Sequence, residues 1–202
     1  MSFQTPISIA TAIEDIVNNR LLLPAIQREF IWTNTQIEWL FDSIMRHYPI
    51  SSFLFWQVEG DTKHQYKYYS FLQHFRERYQ THNDEFDTNG VNDFMAVLDG
   101  QQRLASIYIG LKGSYAYKLP RIWWDNTEYR IPTRHLYLNI IDKLADEEDG
   151  RIYDFQFLTK DEYNAEKEKW FKVGDILKLR NIFEFNKFLD KNNYKANQFT
   201  YE

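Results

Sequence analysis

The chain contains no cysteine, which excludes disulfide staples, thiolate zinc sites and cysteine nucleophiles and permits a reducing compartment. No stretch approaches the roughly 18 apolar residues of a membrane span. The segment from Met1 to Ala12 lacks a basic stretch followed by an apolar run, so neither secretion nor membrane insertion is expected and the cytoplasm is the default. The phosphate-binding pattern Gly-x-x-x-x-Gly-Lys-Ser/Thr is missing, as are repeats and low-complexity tracts. The histidines His47, His64, His74, His82 and His135 show no metal-ligand spacing on one helix face and read as structural or solvated. An excess of positive charge is also lacking. With 24 Lys and Arg against 29 Asp and Glu the net charge is -5, which argues against gripping nucleic acid by bulk electrostatics and leaves room only for a local basic groove.

What is present suffices for a core: 202 residues, 44% of them hydrophobic and 18% aromatic, enough for one domain or a domain plus an appendage. Most of the aromatics, Trp32 and Trp39 included, are expected in the core. Ile9, Ala12, Ile13, Ile16 and Val17 recur at helical spacing behind Ser8, a good N-cap. Leu21 to Ile26 reads as a short buried strand that Pro24, lacking an N–H, places at a sheet edge. Thr33 or Asn34 caps a second helix with the stripe Ile37, Leu40, Phe41, Ile44 and Met45, stopped by Pro49. Phe53 to Val58 reads as a buried strand.

Residues 60–93 differ in composition and read as an insertion, with a helix expected over Tyr68 to Tyr79 and a polar exposed loop over Thr81 to Asn92. Phe94 to Leu98 is the next strand, Asp99-Gly100 a turn, and Gln101 to Leu111 a helix stopped by Gly113. Beyond it, 114–202 reads as a C-terminal extension of the same domain. Strands are expected at Tyr115 to Leu119, Leu136 to Ile141 and Ile152 to Leu158, and helices at Lys160 to Lys169 and Phe183 to Lys191. Asp142 to Leu144 and Glu147-Glu148-Asp149 look like a solvated acidic turn.

The segment Asp99-Gly100-Gln101-Gln102-Arg103 carries the most chemistry. A glycine turn at a helix N-terminus exposes unpaired N–H groups to phosphate oxygens. Arg103 in the first helical turn can make a bidentate phosphate contact, Gln101 and Gln102 can orient a water, and Asp99 can hold a divalent cation directly or through water. A ligand-free alternative stays open: Asp99 as N-cap and Gln102 three residues on complete a capping box.

Leu23-Pro24-Ala25-Ile26-Gln27-Arg28-Glu29-Phe30-Ile31-Trp32, Ile37 to Ser43, Tyr48-Pro49-Ile50, Phe53 to Trp56 and Val97-Leu98-Asp99-Gly100-Gln101-Gln102-Arg103-Leu104 together resemble the GmrSD restriction endonuclease N-terminal domain family. Phe171 to Leu177 resembles a later family segment more loosely. The resemblance implies an α+β fold like the ParB N-terminal and sulfiredoxin group, a small mixed sheet flanked by helices, here with a helical insertion. It implies a single domain over 1–202, expected to be the N-terminal part of a longer protein in a modification-dependent, phage-defence restriction system. The implied ligands are a nucleoside triphosphate and Mg2+. Asp99, Gln101, Gln102 and Arg103 would be catalytic, Asp99 the metal ligand, and Gln27, Arg28, Gly100 and Arg103 the nucleotide-binding residues. An HNH-type nuclease module is expected in a C-terminal domain or partner chain, since its clustered ligands are not visible here. Modified DNA is a further partner to consider.

Two positions depart from the family pattern. Ser51 stands where a glycine is usual after Tyr-Pro-Ile, and Ala105 where a Thr or Ser is usual. The second removes a potential metal or phosphate ligand, which weighs on hydrolysis more than on binding. Arg28 has an ordinary alternative as the ion-pair partner of Glu38 or Asp42. The whole reading competes with a non-catalytic DNA-recognition module, in which Gln27, Arg28, Gln101, Gln102 and Arg103 contact phosphates or base edges, and with a purely structural or interaction domain.

Overall fold

The computed structural model describes residues 5–26, 28–144 and 150–201. In chain order the elements are α1 (Ile9–Val17), β1 (Leu21–Pro24), α2 (Asn34–Met45), β2 (Leu54–Val58), β3 (Tyr68–Tyr69), β4 (His74–Arg76), β5 (Glu85–Phe86) and β6 (Phe94–Asp99). Then follow α3 (Gln101–Lys112), β7 (Ser114–Ala116), β8 (Thr133–Asn139), β9 (Phe155–Leu158), α4 (Lys160–Ala165), β10 (Trp170–Lys172) and α5 (Ile182–Lys191), with 3-10 turns at Gly60–His64, Val173–Lys178 and Phe199–Tyr201. The architecture is α+β with two mixed sheets. The chain divides into two compact units, one of Met1–Phe30, Ser52–Leu72 and His82–Ala105, the other of Ile31–Ser51, Gln73–Thr81 and Ser106–Glu202.

The first unit is built on a sheet in the order β2-β6-β1-β3-β5. Leu21, Leu22 and Leu23 are all buried, the continuous apolar run expected of a strand covered on both faces. β1 runs parallel to β6, with Leu21 opposite Met95, and antiparallel to β3. Leu22, Val58, Tyr68, Phe94 and Ala96 form a core cluster, in which Tyr68 and Phe94 meet edge to face at 4.8 Å, a favoured aromatic geometry. α1 packs against β1 and buries Ala12, Ile13 and Ile16, while its Ser8 cap accepts from the Thr11 N–H.

The second unit carries the strands β10-β8-β7-β4, with β9 also on β8. Thr33 caps α2 in a reciprocal capping box with Gln36, worth about 1 kcal/mol against alanine. The helix lies on β9 and buries Ile37, Leu40 and Phe41 together with two carboxylates, Glu38 and Asp42. Asp42 accepts from the backbone N–H groups of Ile152 (2.9 Å) and Tyr153 (2.8 Å), and its other oxygen lies 3.4 Å from Arg46. Gly113, just past α3, donates to Ile109 and accepts from His135. A Cβ there would stand 1.8 Å from the Gln73 carbonyl oxygen, so close approach to β4, not a left-handed helix stop, requires this glycine.

Several expectations change. The helix over Tyr68 to Tyr79 does not form; the segment holds β3 and β4. Tyr68, Phe71, Leu72 and Phe75 have helical spacing and are all buried, but Tyr68 joins the core of the first unit and Phe75 packs at a tilt on Tyr115 in the second. Long-range pairing therefore overrides the local period. Within Thr81 to Asn92, Glu85–Phe86 pairs with β3. β1 is an interior strand, not an edge, because Pro24 occupies its last position and Ala25 resumes donation, to Lys67. β2 lies at one edge and is only partly covered, with Leu54 exposed. Trp39, on the side of α2 away from Ile37 and Leu40, is 44% exposed, and Trp32 is half-buried. The acidic run Glu147 to Asp149 lies outside the described residues. Among those described, no helix is long and apolar enough to cross a membrane.

Candidate functional site

β6 delivers Asp99 at its carboxyl end, Gly100 turns the chain at φ +88° and α3 starts at Gln101. The Gly100 carbonyl accepts the first helical bond, from Leu104 at 2.9 Å. A side chain at Gly100 would face two obstacles: a backbone region that L residues avoid, and the Phe53 ring, 2.3 Å from an added Cβ. Gly100, not Asp99, therefore precedes the helix, which moves the expected Asp99/Gln102 capping box out of register.

Because β1 and β6 are parallel, their carboxyl ends lie at the same end of the sheet, and the chain leaving β1 passes the start of α3. Gln101 and Gln102 are buried there. The Gln101 amide donates to the Arg28 carbonyl (2.7 Å) and the Gln102 amide to the Glu29 carbonyl (2.9 Å). Two neighbouring glutamines thus hold two neighbouring carbonyls, which would otherwise be costly to bury unpaired. Their amides face the protein, an arrangement that positions a segment and is not the water-orienting one expected.

Arg103 bonds the Ser52 carbonyl at 3.0 Å, its guanidinium carbon lies 4.8 Å from the centre of the Phe53 ring, and it stands 3.6 Å from the Asp99 carboxylate. Its side chain is 17% exposed whereas that of Asp99 is 71% exposed. The cation is thus fixed and mostly covered, and the carboxylate is accessible to a solute. Glu29 pairs with His82 at 2.6 Å, both exposed; neither residue stands out in the sequence, since only the fold brings 82 to 29.

Arg28 is exposed, and its suggested ion-pair partners are committed elsewhere. Asp42 holds the backbone at 152–153. Glu38 accepts from the Phe157 N–H at 3.2 Å and lies 3.8 Å from Arg151. Burial pushes the Glu38 carboxyl above its ordinary range, with the Phe157 and Asn34 hydrogen bonds opposing. It lines a cavity of about 260 Å3 in the second unit with Asn34, Tyr117, Arg151 and Asp154. Gln27 lies outside the described residues. Ala105 is buried.

Ser51 sits at φ +69°, the left-handed region that glycine occupies freely. An L side chain costs about 1–2 kcal/mol there, and glycine gives back about 0.5–1 kcal/mol through unfolded-state entropy. Ser51→Gly is therefore expected to raise stability by up to about 1 kcal/mol, seen as a higher urea midpoint; an unchanged or lower midpoint would show that the serine is not strained.

Among the described residues no group of three or more His, Asp or Glu is arranged to hold a metal ion. Asp99 offers one carboxylate, which suits a Mg2+ that takes its remaining ligands from phosphate and water and does not suit an all-protein cage.

Residues 11–201 match the family model described as GmrSD restriction endonuclease, N-terminal domain. No curated protein matches the chain.

Proposed function

Since the chain belongs to the GmrSD restriction endonuclease N-terminal domain family, and is thereby a restriction-system component, we propose that its Asp99–Arg103 turn binds the polyphosphate of a nucleoside triphosphate and regulates a nuclease. The observation that carries this reading is the fixed Arg103 guanidinium beside the exposed Asp99 carboxylate, at a glycine turn that opens a helix. The N–H groups that a helix N-terminus points outward and the positive end of its dipole attract phosphate oxygens, and Arg103 adds a permanent cation. Asp99 would meet Mg2+ directly or through water while the phosphates supply the other ligands. The metal would neutralise charge on the phosphates.

Gln101 and Gln102 act in this reading by holding Arg28 and Glu29, which leaves the Arg28 side chain exposed for a second phosphate contact. Gln27 keeps the nucleotide-binding role that the family resemblance gives it. The parallel β1–β6 pair feeding a strand-to-helix arginine motif supports a ParB-like assignment of the first unit. The nuclease itself belongs to an HNH-type module elsewhere in the protein or in a partner. The inward-facing glutamine amides favour the phosphate reading over base-edge recognition of modified DNA.

Thermal unfolding with each nucleoside triphosphate and magnesium tests this. A ligand at a hundred times its Kd stabilises by about 2.7 kcal/mol, a readily measured shift in Tm. The shift is expected in the wild type, reduced in Arg103→Lys and lost in Arg103→Ala, with phosphate release measured on whichever nucleotide binds. Arg103→Ala that is folded by circular dichroism yet still stabilised, or a wild type that no nucleotide stabilises, overturns the reading.

A further inference from the structure

The second compact unit carries a cation-rich aromatic loop on a chain whose net charge is -5. Between β7 and β8 the sequence Pro120-Arg121-Ile122-Trp123-Trp124-Asp125-Asn126-Thr127-Glu128-Tyr129-Arg130 leaves Trp123 85% and Tyr129 78% exposed. Ordinary cores hide such rings, because fully burying a large apolar side chain is worth about 1.5–3 kcal/mol.

The loop is nonetheless well tied. Leu119 donates to the Arg130 carbonyl, and Ile131 to that of Thr127. The Arg130 guanidinium reaches the Trp123 carbonyl at 3.2 Å. Glu128 accepts from Thr133 at 2.6 Å and from Arg76 at 3.3 Å. Exposure of Trp123 is thus built into an ordered turn.

Cations surround the second indole. Arg78 lies 5.4 Å and Lys118 5.5 Å from the Trp124 ring. Arg121, held at φ +60°, is exposed and makes no hydrogen bond or ion pair among the described residues. Arg76 is paired with Glu128 and Arg130 with Asp125, which leaves Arg78, Lys118 and Arg121 as the cations of this segment against the single carboxylate of Glu77.

We propose that this loop binds single-stranded nucleic acid, with an unpaired base stacked on Trp123 and the strand's phosphates met by Arg121 and Arg78. An exposed flat ring offers a π-face that any base can cover, and flanking cations follow the backbone. A duplex keeps its bases stacked on each other and leaves the indole without an occupant. The inference goes beyond the polyphosphate reading and uses none of its residues.

The test is fluorescence anisotropy with a labelled oligothymidylate of about a dozen nucleotides and its duplex with oligoadenylate, without nucleotide. Single strand is expected to bind more tightly than duplex. Trp123→Ala should weaken it roughly tenfold, the scale of one lost base–aromatic stack. Trp123→Phe should retain most of the affinity, and Arg121→Glu should weaken binding and flatten its salt dependence. Trp123 is so exposed that its replacement should leave the melting curve unchanged. Arg103→Ala should bind the oligonucleotide as wild type does, so failure of the polyphosphate site is read separately. Absence of binding, or binding indifferent to Trp123→Ala and Arg121→Glu, overturns the proposal. A Trp123→Ala that dissociates an oligomer while oligonucleotide binding persists also overturns it, by making the loop a protein interface.

Discussion

Gly113→Ala is expected to destabilise the protein by about 3 kcal/mol or more, enough to consume a large part of the stability of a typical domain. The added methyl would stand 1.8 Å from the Gln73 carbonyl oxygen, 2.8 Å from its carbon and 3.1 Å from the Ile109 Cα. None of these atoms can rotate aside, because the Gln73 carbonyl accepts from Ser114 and the Gln73 amide donates to the Lys112 carbonyl. The next residues begin the parallel β4–β7 pairing, His74 opposite Ser114, so relieving the clash means pulling that pair apart. Gly110→Ala is the informative comparison. There the obstacles are side-chain atoms, the Phe41 ring at 2.5 Å and a Leu136 methyl at 3.0 Å, which repacking can displace. Urea unfolding should rank Gly113→Ala well below Gly110→Ala; equal losses would mean that the β4–β7 junction yields as easily as a ring.

Asp42→Ala is expected to cost about 3 kcal/mol, because it strands two backbone donors at about 1–3 kcal/mol each. Asp42 is 3% exposed, and a single one of its oxygens receives both the Ile152 and Tyr153 N–H groups. Arg46 reinforces the same link, bonding the Gly150 carbonyl at 2.6 Å and the Tyr48 hydroxyl at 2.5 Å. Asp42→Asn keeps an acceptor oxygen and should lose about half as much. Amide hydrogen exchange gives a local reading, with faster exchange at 152 and 153 in the alanine variant. Unchanged protection of those two amides would contradict the clamp even if global stability fell.

The turn at Asp99–Arg103 was legible because its features are local: an apolar strand ends, a glycine follows, a helical stripe begins. The N-cap Ser8, and Thr33 as one of two adjacent candidates, were readable on the same grounds, each an oxygen-bearing side chain just before an apolar period. The orientation of Gln101 and Gln102 was not, since it depends on which segment the β1–β6 pairing brings alongside. The stretch from Tyr68 to Phe75 misled because spacing does not say which partner each ring will meet. The loop from 120 to 130 carries no such signal, since it has no period and an exposed tryptophan looks in a sequence like a buried one.

The division of the chain bears on how it acquires its structure. Each unit is assembled from three separate stretches that alternate along the sequence, so no cut through the chain yields either one whole. During synthesis, at about 5–20 residues per second, Leu21 must wait for Met95 to emerge before their strands can pair. By then α2 has long been exposed with an apolar stripe whose cover, β9, comes more than a hundred residues after it. Such distant closures make folding slow and leave sticky intermediates. A nascent or truncated chain therefore spends time as a client for chaperones and proteases, and the amount of active protein in a cell is governed by that race as much as by the stability of the finished fold.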